Sequence, residues 1–165
     1  MAGTKIRTPK ATDLLQQDHE KVKELFEEYE DLDETDVTGR RMLFGTLKRE
    51  LTVHAQIEEH VFYPAIAGLR EKGDAEALVR EAQEEHKIVK TLLEELGHLN
   101  PEDKDFDAKM SVLCESVEHH ADDEEKHLFR LFRKLDRERQ DEISRTLWEM
   151  KQKLTAGEGE FEIEL

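Results

Sequence analysis

Four histidines and two glutamates recur at matched places along this chain: His19, His54, Glu58, His86, His120 and Glu124. His54/Glu58 and His120/Glu124 are i, i+4 pairs, so on a helix the two side chains of a pair stand about 40° apart on one face and can reach a common centre. Imidazole nitrogens and carboxylate oxygens together form a donor set for transition-metal ions. The matching extends beyond the six residues. DHEKVKELF, from Asp18, resembles EHKIVKTLL, from Glu85, and HAQIEEHVFYP, from His54, resembles HADDEEKHLFR, from His120. His19 and His86 are 67 residues apart and His54 and His120 are 66 apart, so the chain reads as two helix pairs related by an internal pseudo-twofold.

The elements that must position these residues are helices. Charged residues make up 40% of the chain and apolar residues 36%, with three Pro and eight Gly, a balance suited to long helices with solvated outer faces. No run of alternating β-branched and aromatic residues marks a strand. Residues 1–10 read as a loose tail. Thr12 or Asp13 is expected to cap a first helix running to about Asp31, and Asp33 to Gly39 is turn-like. A second helix spans about Arg40 to Leu69, with Pro64 expected to kink it or end its regular part. Lys72-Gly73-Asp74 is a turn, with Asp74 capping a third helix that reaches Leu96 and has Gly97 at the position after its cap. Asn100-Pro101-Glu102 opens a new element, the main fourth helix covers Phe106 to Leu135, and a shorter fifth runs from Arg139 to Leu154. The expected fold is all-α: an antiparallel up-down-up-down four-helix bundle over residues 11–155, with an additional short C-terminal helix and an acidic tail at 156–165.

Tracing the core-facing stripe at 3-4 spacing gives Leu15, His19, Val22, Phe26 and Tyr29 on helix one and Leu47, Leu51, His54, Glu58, Val61 and Ala65 on helix two. Helix three gives Val79, Ala82, His86, Val89, Leu93 and Leu96, and helix four gives Met110, Leu113, Val117, His120, Glu124, His127 and Leu131. A single histidine in such a stripe is more often a hydrogen-bonded core residue than a ligand. Here all four stripes carry one, and two also carry a carboxylate with no Lys or Arg beside it. Burying an uncompensated carboxylate costs several kcal/mol, and a divalent or trivalent cation would supply the missing charge. His127 is open to three readings: an extra ligand, a proton relay beyond the ligands, or a polar residue reaching the bundle end; the relay is favoured, because His127 lies a turn past Glu124. Glu59 and Glu125 point about 100° away from their neighbours and read as helix-face carboxylates or as acceptors behind the ligands. His60, His98 and His119 fall off the stripes.

The charge balance narrows the partners. Twenty-five basic against forty-one acidic residues give a net charge of −16, which opposes nucleic acid and anionic membranes as partners. Cys114 is the only cysteine, which excludes intrachain disulfides and sites built on several thiolates. No stretch has the length of a membrane span or the pattern of an export signal, so a cytoplasmic protein is expected.

DHxxxxxLF at Asp18, HxxxEExxFYP at His54, EHxxxxxLL at Glu85 and HxxxEExxLF at His120 together resemble the hemerythrin-like (HHE cation-binding) family, from about Thr12 to Leu135. The resemblance implies a bundle enclosing a non-haem di-iron centre, with two iron ions joined by an oxo or hydroxo bridge. It implies His19, His54, His86 and His120 as terminal ligands and Glu58 and Glu124 as bridging carboxylates. This chain departs from the oxygen-carrying members. Lys90 stands where they have a further histidine on helix three, Lys23 holds the equivalent place on helix one, and Glu124 replaces an aspartate. Arg130 replaces a proline and should let helix four continue undisturbed. A nearly symmetric centre with two histidines per iron follows, with a position open at each metal. The implied function is binding or turnover of a small oxidant (O2, NO or peroxide), including catalase- or peroxidase-like activity. The alternatives are a non-enzymatic iron or oxygen sensor or iron reservoir, and repair of nitrosative or iron–sulfur damage. The sequence assigns no protein partner.

Overall fold

The structure is a computed structural model that describes residues 7–69 and 75–156; the Lys72-Gly73-Asp74 turn, Asp74 as a cap and most of the two expected tails lie outside the described residues. Four long helices form the bundle: α1 (Ala11–Asp31), α2 (Val37–Ile57), α4 (Ala75–His98) and α5 (Lys104–Asp123). Short helices α3 (Tyr63–Ala67) and α6 (Phe129–Phe132) extend α2 and α5, and α7 (Arg137–Ala156) packs across α1 and α2. Neighbours run antiparallel. Lys21 on α1 pairs with Glu50 on α2 at 2.8 Å, and Lys109 on α5 with Glu95 on α4 at 2.7 Å.

Helix ends differ from expectation where tertiary contacts replace local caps. α1 begins at Ala11, with neither Thr12 nor Asp13 as its cap; the Ala11 N–H donates to Ser144 Oγ of α7 at 2.9 Å. α2 begins at Val37 rather than Arg40, because Asp36 accepts from the Gly39 N–H at 2.9 Å. A Cβ on Gly39 would lie 2.5 Å from the Asp36 carboxylate, so glycine makes room for this cap. Gly97 lies inside α4, which continues to His98. Glu102 N–H turns onto the Asn100 side chain, and α5 starts two residues later at Lys104.

The largest difference lies inside the two helices that carry the His/Glu pairs. α2 passes into a π-helical turn at Glu58–Phe62, and α5 does the same at Glu124–Leu128. A π turn bonds i to i+5 and adds one residue to the turn. The buried stripe therefore slips by one position: Phe62, Tyr63 and Ile66 are buried where Val61 and Ala65 were expected. On the other helix Leu128, Phe129 and Phe132 are buried and His127 is exposed. Pro64 is not the cause, since the second helix has the same turn with Arg130 at the corresponding place. Both turns begin at a glutamate of the buried polar layer, the setting in which π turns recur at functional sites.

Two apolar clusters fill the bundle. One gathers Leu14, Leu15, Ile57, Tyr63, Phe132 and Leu147, the other Val22, Phe26, Leu47, Leu96, Phe106 and Leu113. Between them lies a layer containing the four histidines and two glutamates singled out by the repeat.

Candidate metal centre

The six residues converge. His19, His54, Glu58 and Glu124 offer one ligand atom each within 4.8 Å of one another, and Glu58, His86, His120 and Glu124 form a second such group. The two glutamates belong to both. On one side the Nε2 atoms of His19 and His54 are 3.1 Å apart, with Glu58 Oε1 2.9 Å from His54 and Glu124 Oε1 3.3 Å from His19. On the other, His86 and His120 Nε2 are 3.1 Å apart, with Glu58 Oε1 3.2 Å from His86 and Glu124 Oε2 3.3 Å from His120. Right-angle neighbours around a metal with bonds of about 2.1 Å stand about 3.0 Å apart, which these spacings match. Glu58 is fully buried and Glu124 is 1% exposed, yet both Glu58 oxygens and Glu124 Oε1 lack hydrogen-bond partners. Buried orphaned carboxylate oxygens beside inward-facing imidazoles are what a cation pair would satisfy.

Each histidine turns its other nitrogen toward a carboxylate. His54 Nδ1 is 2.9 Å from Asp18, His120 Nδ1 3.3 Å from Glu85, His86 Nδ1 3.2 Å from Glu59 and His19 Nδ1 3.9 Å from Glu125. These four contacts obey the internal repeat: Asp18 corresponds to Glu85, and Glu59 to Glu125. At His54, His86 and His120 the carboxylate is within hydrogen-bonding distance and fixes the ring orientation and tautomer that turn Nε2 inward, whereas His19 Nδ1 has no hydrogen-bond partner. Asp18 is further held by Lys151 of α7, so the C-terminal helix reaches the centre through one ion pair. The acceptor reading of Glu59 matches its contact with His86. The roles of Asp18 and Glu85 are not legible from periodicity, although each directly precedes a stripe histidine.

Without metal, the surroundings of His54, His86 and His120 favour their protonated forms. Burial opposes a charged His54, but Glu58 and Asp18 outweigh it and raise its pKa to about 10. Burial likewise opposes charge on His120 and His86, and the surrounding carboxylates push both upward. Burial would raise the Glu58 carboxyl, but the neighbouring imidazoles hold it well below the usual range.

Tyr63 is the site residue that stripe tracing missed. Its hydroxyl donates to Glu124 Oε2 at 2.7 Å and lies 3.1 Å from His86 Nε2 and 3.3 Å from His120 Nε2. Burial and the charges of Glu58 and Glu124 push its pKa well upward, so the phenol keeps its proton. The repeat places Phe129 at the corresponding position, where its ring stacks on His19 with centroids 6.1 Å apart. The expected symmetry therefore holds for the four histidines and two glutamates but not for their surroundings: one half has a phenol donor and the other a bare ring. His127 stands at the rim of a cavity of about 110 Å³ whose lining includes His120, Glu124, Glu81, Glu85 and Asp123. Cys114 is half-buried beside Glu118, and burial with that carboxylate pushes its thiol up to about 11.

Residues 10–132 match the family described as hemerythrin HHE cation binding domain. The chain belongs to that family. The His/Glu clusters of this hemerythrin-like chain match the di-iron architecture of the family. It is 32% identical over 121 residues to a protein of Nostoc sp. (strain PCC 7120 / SAG 25.82 / UTEX 2576) named DNA nickase; the match covers 73% of this chain and 33% of the relative, so the chain spans about one third of that protein's length. A crystal structure of a hemerythrin HHE cation binding domain-containing protein from Mycobacterium kansasii, a homolog of Rv2633c, superposes with a TM-score of 0.76 at 22% identity, covering 88% of this chain and 87% of that one. Among the described residues no helix is long and apolar enough to cross a membrane.

Proposed function

We propose that this hemerythrin-like chain uses its di-iron centre to bind and turn over a small polar oxidant, with hydrogen peroxide favoured over O2 and NO. The cavity beside His120 and Glu124 carries this reading. At about 110 Å³ it holds only a molecule of a few atoms, and its Glu81, Glu85, Asp123 and His127 lining suits a substrate that donates and accepts hydrogen bonds. His19, His54, Glu58, His86, His120 and Glu124 are the proposed metal ligands. The irons, when bound, would relay two electrons from one peroxide, oxidised to O2, to another, reduced to water. The protein's own groups orient and protonate. Tyr63 keeps a proton on its hydroxyl and aims it at Glu124 Oε2, while His127 at the solvent rim exchanges protons with water. Asp18, Glu59 and Glu85 hold the imidazole rings, and the apolar clusters on either side exclude bulk water from the polar layer.

The test is oxygen evolution from hydrogen peroxide by the iron-loaded protein. Turnover above an equal amount of free iron, lost in His54→Ala, supports the proposal; turnover no greater than free iron refutes it. A non-enzymatic iron reservoir or sensor is the second reading, favoured by the orphaned buried carboxylates that make folding itself responsive to metal. Iron-dependent stability without peroxide turnover would select it. The strand-nicking activity in the name of the Nostoc relative is not carried over, because the match covers one third of that protein and a net charge of −16 repels phosphate. Supercoiled plasmid is expected to remain intact with the iron-loaded chain.

A further inference from the structure

The bundle packs as two tight helix pairs, α1 with α2 and α4 with α5, and an elongated groove remains on each side between pairs. The α2/α4 groove encloses about 480 Å³ and the α1/α5 groove about 400 Å³, both within the roughly 300–1,000 Å³ of small-molecule sites. The grooves are mates under the internal repeat. His86, Val89, Lys90 and Leu93 line one where His19, Val22, Lys23 and Phe26 line the other.

Their charges have diverged. Along the α1/α5 groove stand Glu20, Glu118, Asp122 and Glu125 against the single Lys23. At the corresponding places the α2/α4 groove has Lys87, Thr52, Gln56 and Glu59, and it adds Lys48 where the mate helix has Cys114. Lys87 is taken up by Glu84, and Glu59 faces His86. Among the described residues, Lys48 and Lys90 make no ion pair; both are half-buried, with Glu94 as the other carboxylate along the wall. The Lys48 ammonium lies across the groove at Gly97, 3.9 Å from where a Cβ would stand. Two ammonium groups outside any close ion pair, Lys48 and Lys90, thus stand in a groove whose apolar lining is Leu51, Ala55, Val89 and Leu93 and which also includes His86; the Lys90 charge also acts on Glu59. In a chain of net charge −16, this local arrangement selects by charge as well as by hydrophobicity.

We propose that the α2/α4 groove is a binding site for an amphipathic monocarboxylate, a short-to-medium alkyl chain with one carboxylate. The carboxylate sits between Lys48 and Lys90, and the alkyl chain runs along Ala55 and Val89 to His86. This site lies on the outer, Nδ1 side of His86, away from the small cavity beside Glu124, and occupation does not require iron. Lys90 has its function here, at the position where oxygen carriers of the family have a further histidine.

Calorimetric titration with octanoate tests the proposal, with 1-octanol and n-octylamine as neutral and cationic counterparts. The binding readout needs no metal, so its outcome is independent of the peroxide assay. Octanoate is expected to bind at one site, and Lys48→Gln and Lys90→Gln each to weaken it about tenfold, since each removes a charge-assisted contact. Ala55→Leu, which fills the channel, is expected to abolish binding, and Lys23→Gln in the mate groove to leave it unchanged. Circular dichroism checks that each variant is folded. Octanol or octylamine binding as tightly as octanoate, undiminished binding in Lys90→Gln or Ala55→Leu, or no octanoate binding overturns the proposal.

Discussion

Replacing Tyr63 with Phe removes one oxygen from the most buried part of the centre. In the metal-free protein that oxygen donates a 2.7 Å hydrogen bond to Glu124, a carboxylate that is 1% exposed. Glu124 Oε1 already lacks a partner, so after the substitution His120 at 3.3 Å is the remaining contact of Oε2. A hydrogen bond to a charged group contributes about 1.5–3 kcal/mol. At about 2–4 °C per kcal/mol for a domain of this size, Tyr63→Phe is expected to lower the metal-free Tm by about 3–12 °C. The ring itself stays packed among Phe62 and the apolar cluster around it, so little of the loss comes from packing. The assay is thermal unfolding by circular dichroism after chelator treatment, run beside the iron-loaded form. With iron bound, Glu124 has the metal as a partner, and the penalty should shrink. An unchanged metal-free Tm, or an equal loss in both forms, would refute the claim that Tyr63 compensates an otherwise orphaned carboxylate.

Iron itself should stabilise the fold: at a free concentration 1,000 times Kd, linkage gives about 4 kcal/mol, or a Tm rise on the order of 8–16 °C, and unfolding indifferent to chelation would show that the polar layer needs no cation. The pH dependence follows from His54, whose pKa in the folded metal-free protein is raised to about 10 from 6.5. A raised pKa contributes stability that is fully present below about pH 6.5 and is lost as pH rises through about 10, so the metal-free Tm should decline over that window, and a flat profile would remove the imidazole–carboxylate pairing. Metal competes with those protons, so iron affinity should fall on acidification, measured by chelator competition at several pH values. Asp18→Asn keeps the shape but weakens the acceptor behind His54 and unpairs Lys151; iron affinity should drop about 10- to 100-fold, and unchanged affinity would make Asp18 a mere anchor for α7.

The sequence by itself determined the buried layer of histidines and glutamates. His19, His54, His86 and His120 fall at a helical period within apolar stripes, and the repeat makes each predict its partner. Glu58 and Glu124 follow from i, i+4 geometry, because that spacing stays on one face whether or not the helix is distorted beyond it. Four helices and a fifth were legible for the same reason: apolar periodicity encodes which face is buried. Only the tertiary structure decided what lies past the two glutamates. Each helix widens there into a π turn, and a change from i→i+4 to i→i+5 bonding leaves no mark in composition or in the local pattern. That one-residue slip carries Tyr63 into the centre and turns His127 out to the cavity rim. The helix starts at Ala11 and Val37 were likewise decided by partners, Ser144 from 133 residues away and an Asp36 cap that depends on Gly39. Asp18 and Glu85 gained their roles only when the helices were set side by side, since their histidines lie on other elements. Periodicity specifies a face; what that face meets depends on register and on neighbours distant in the chain.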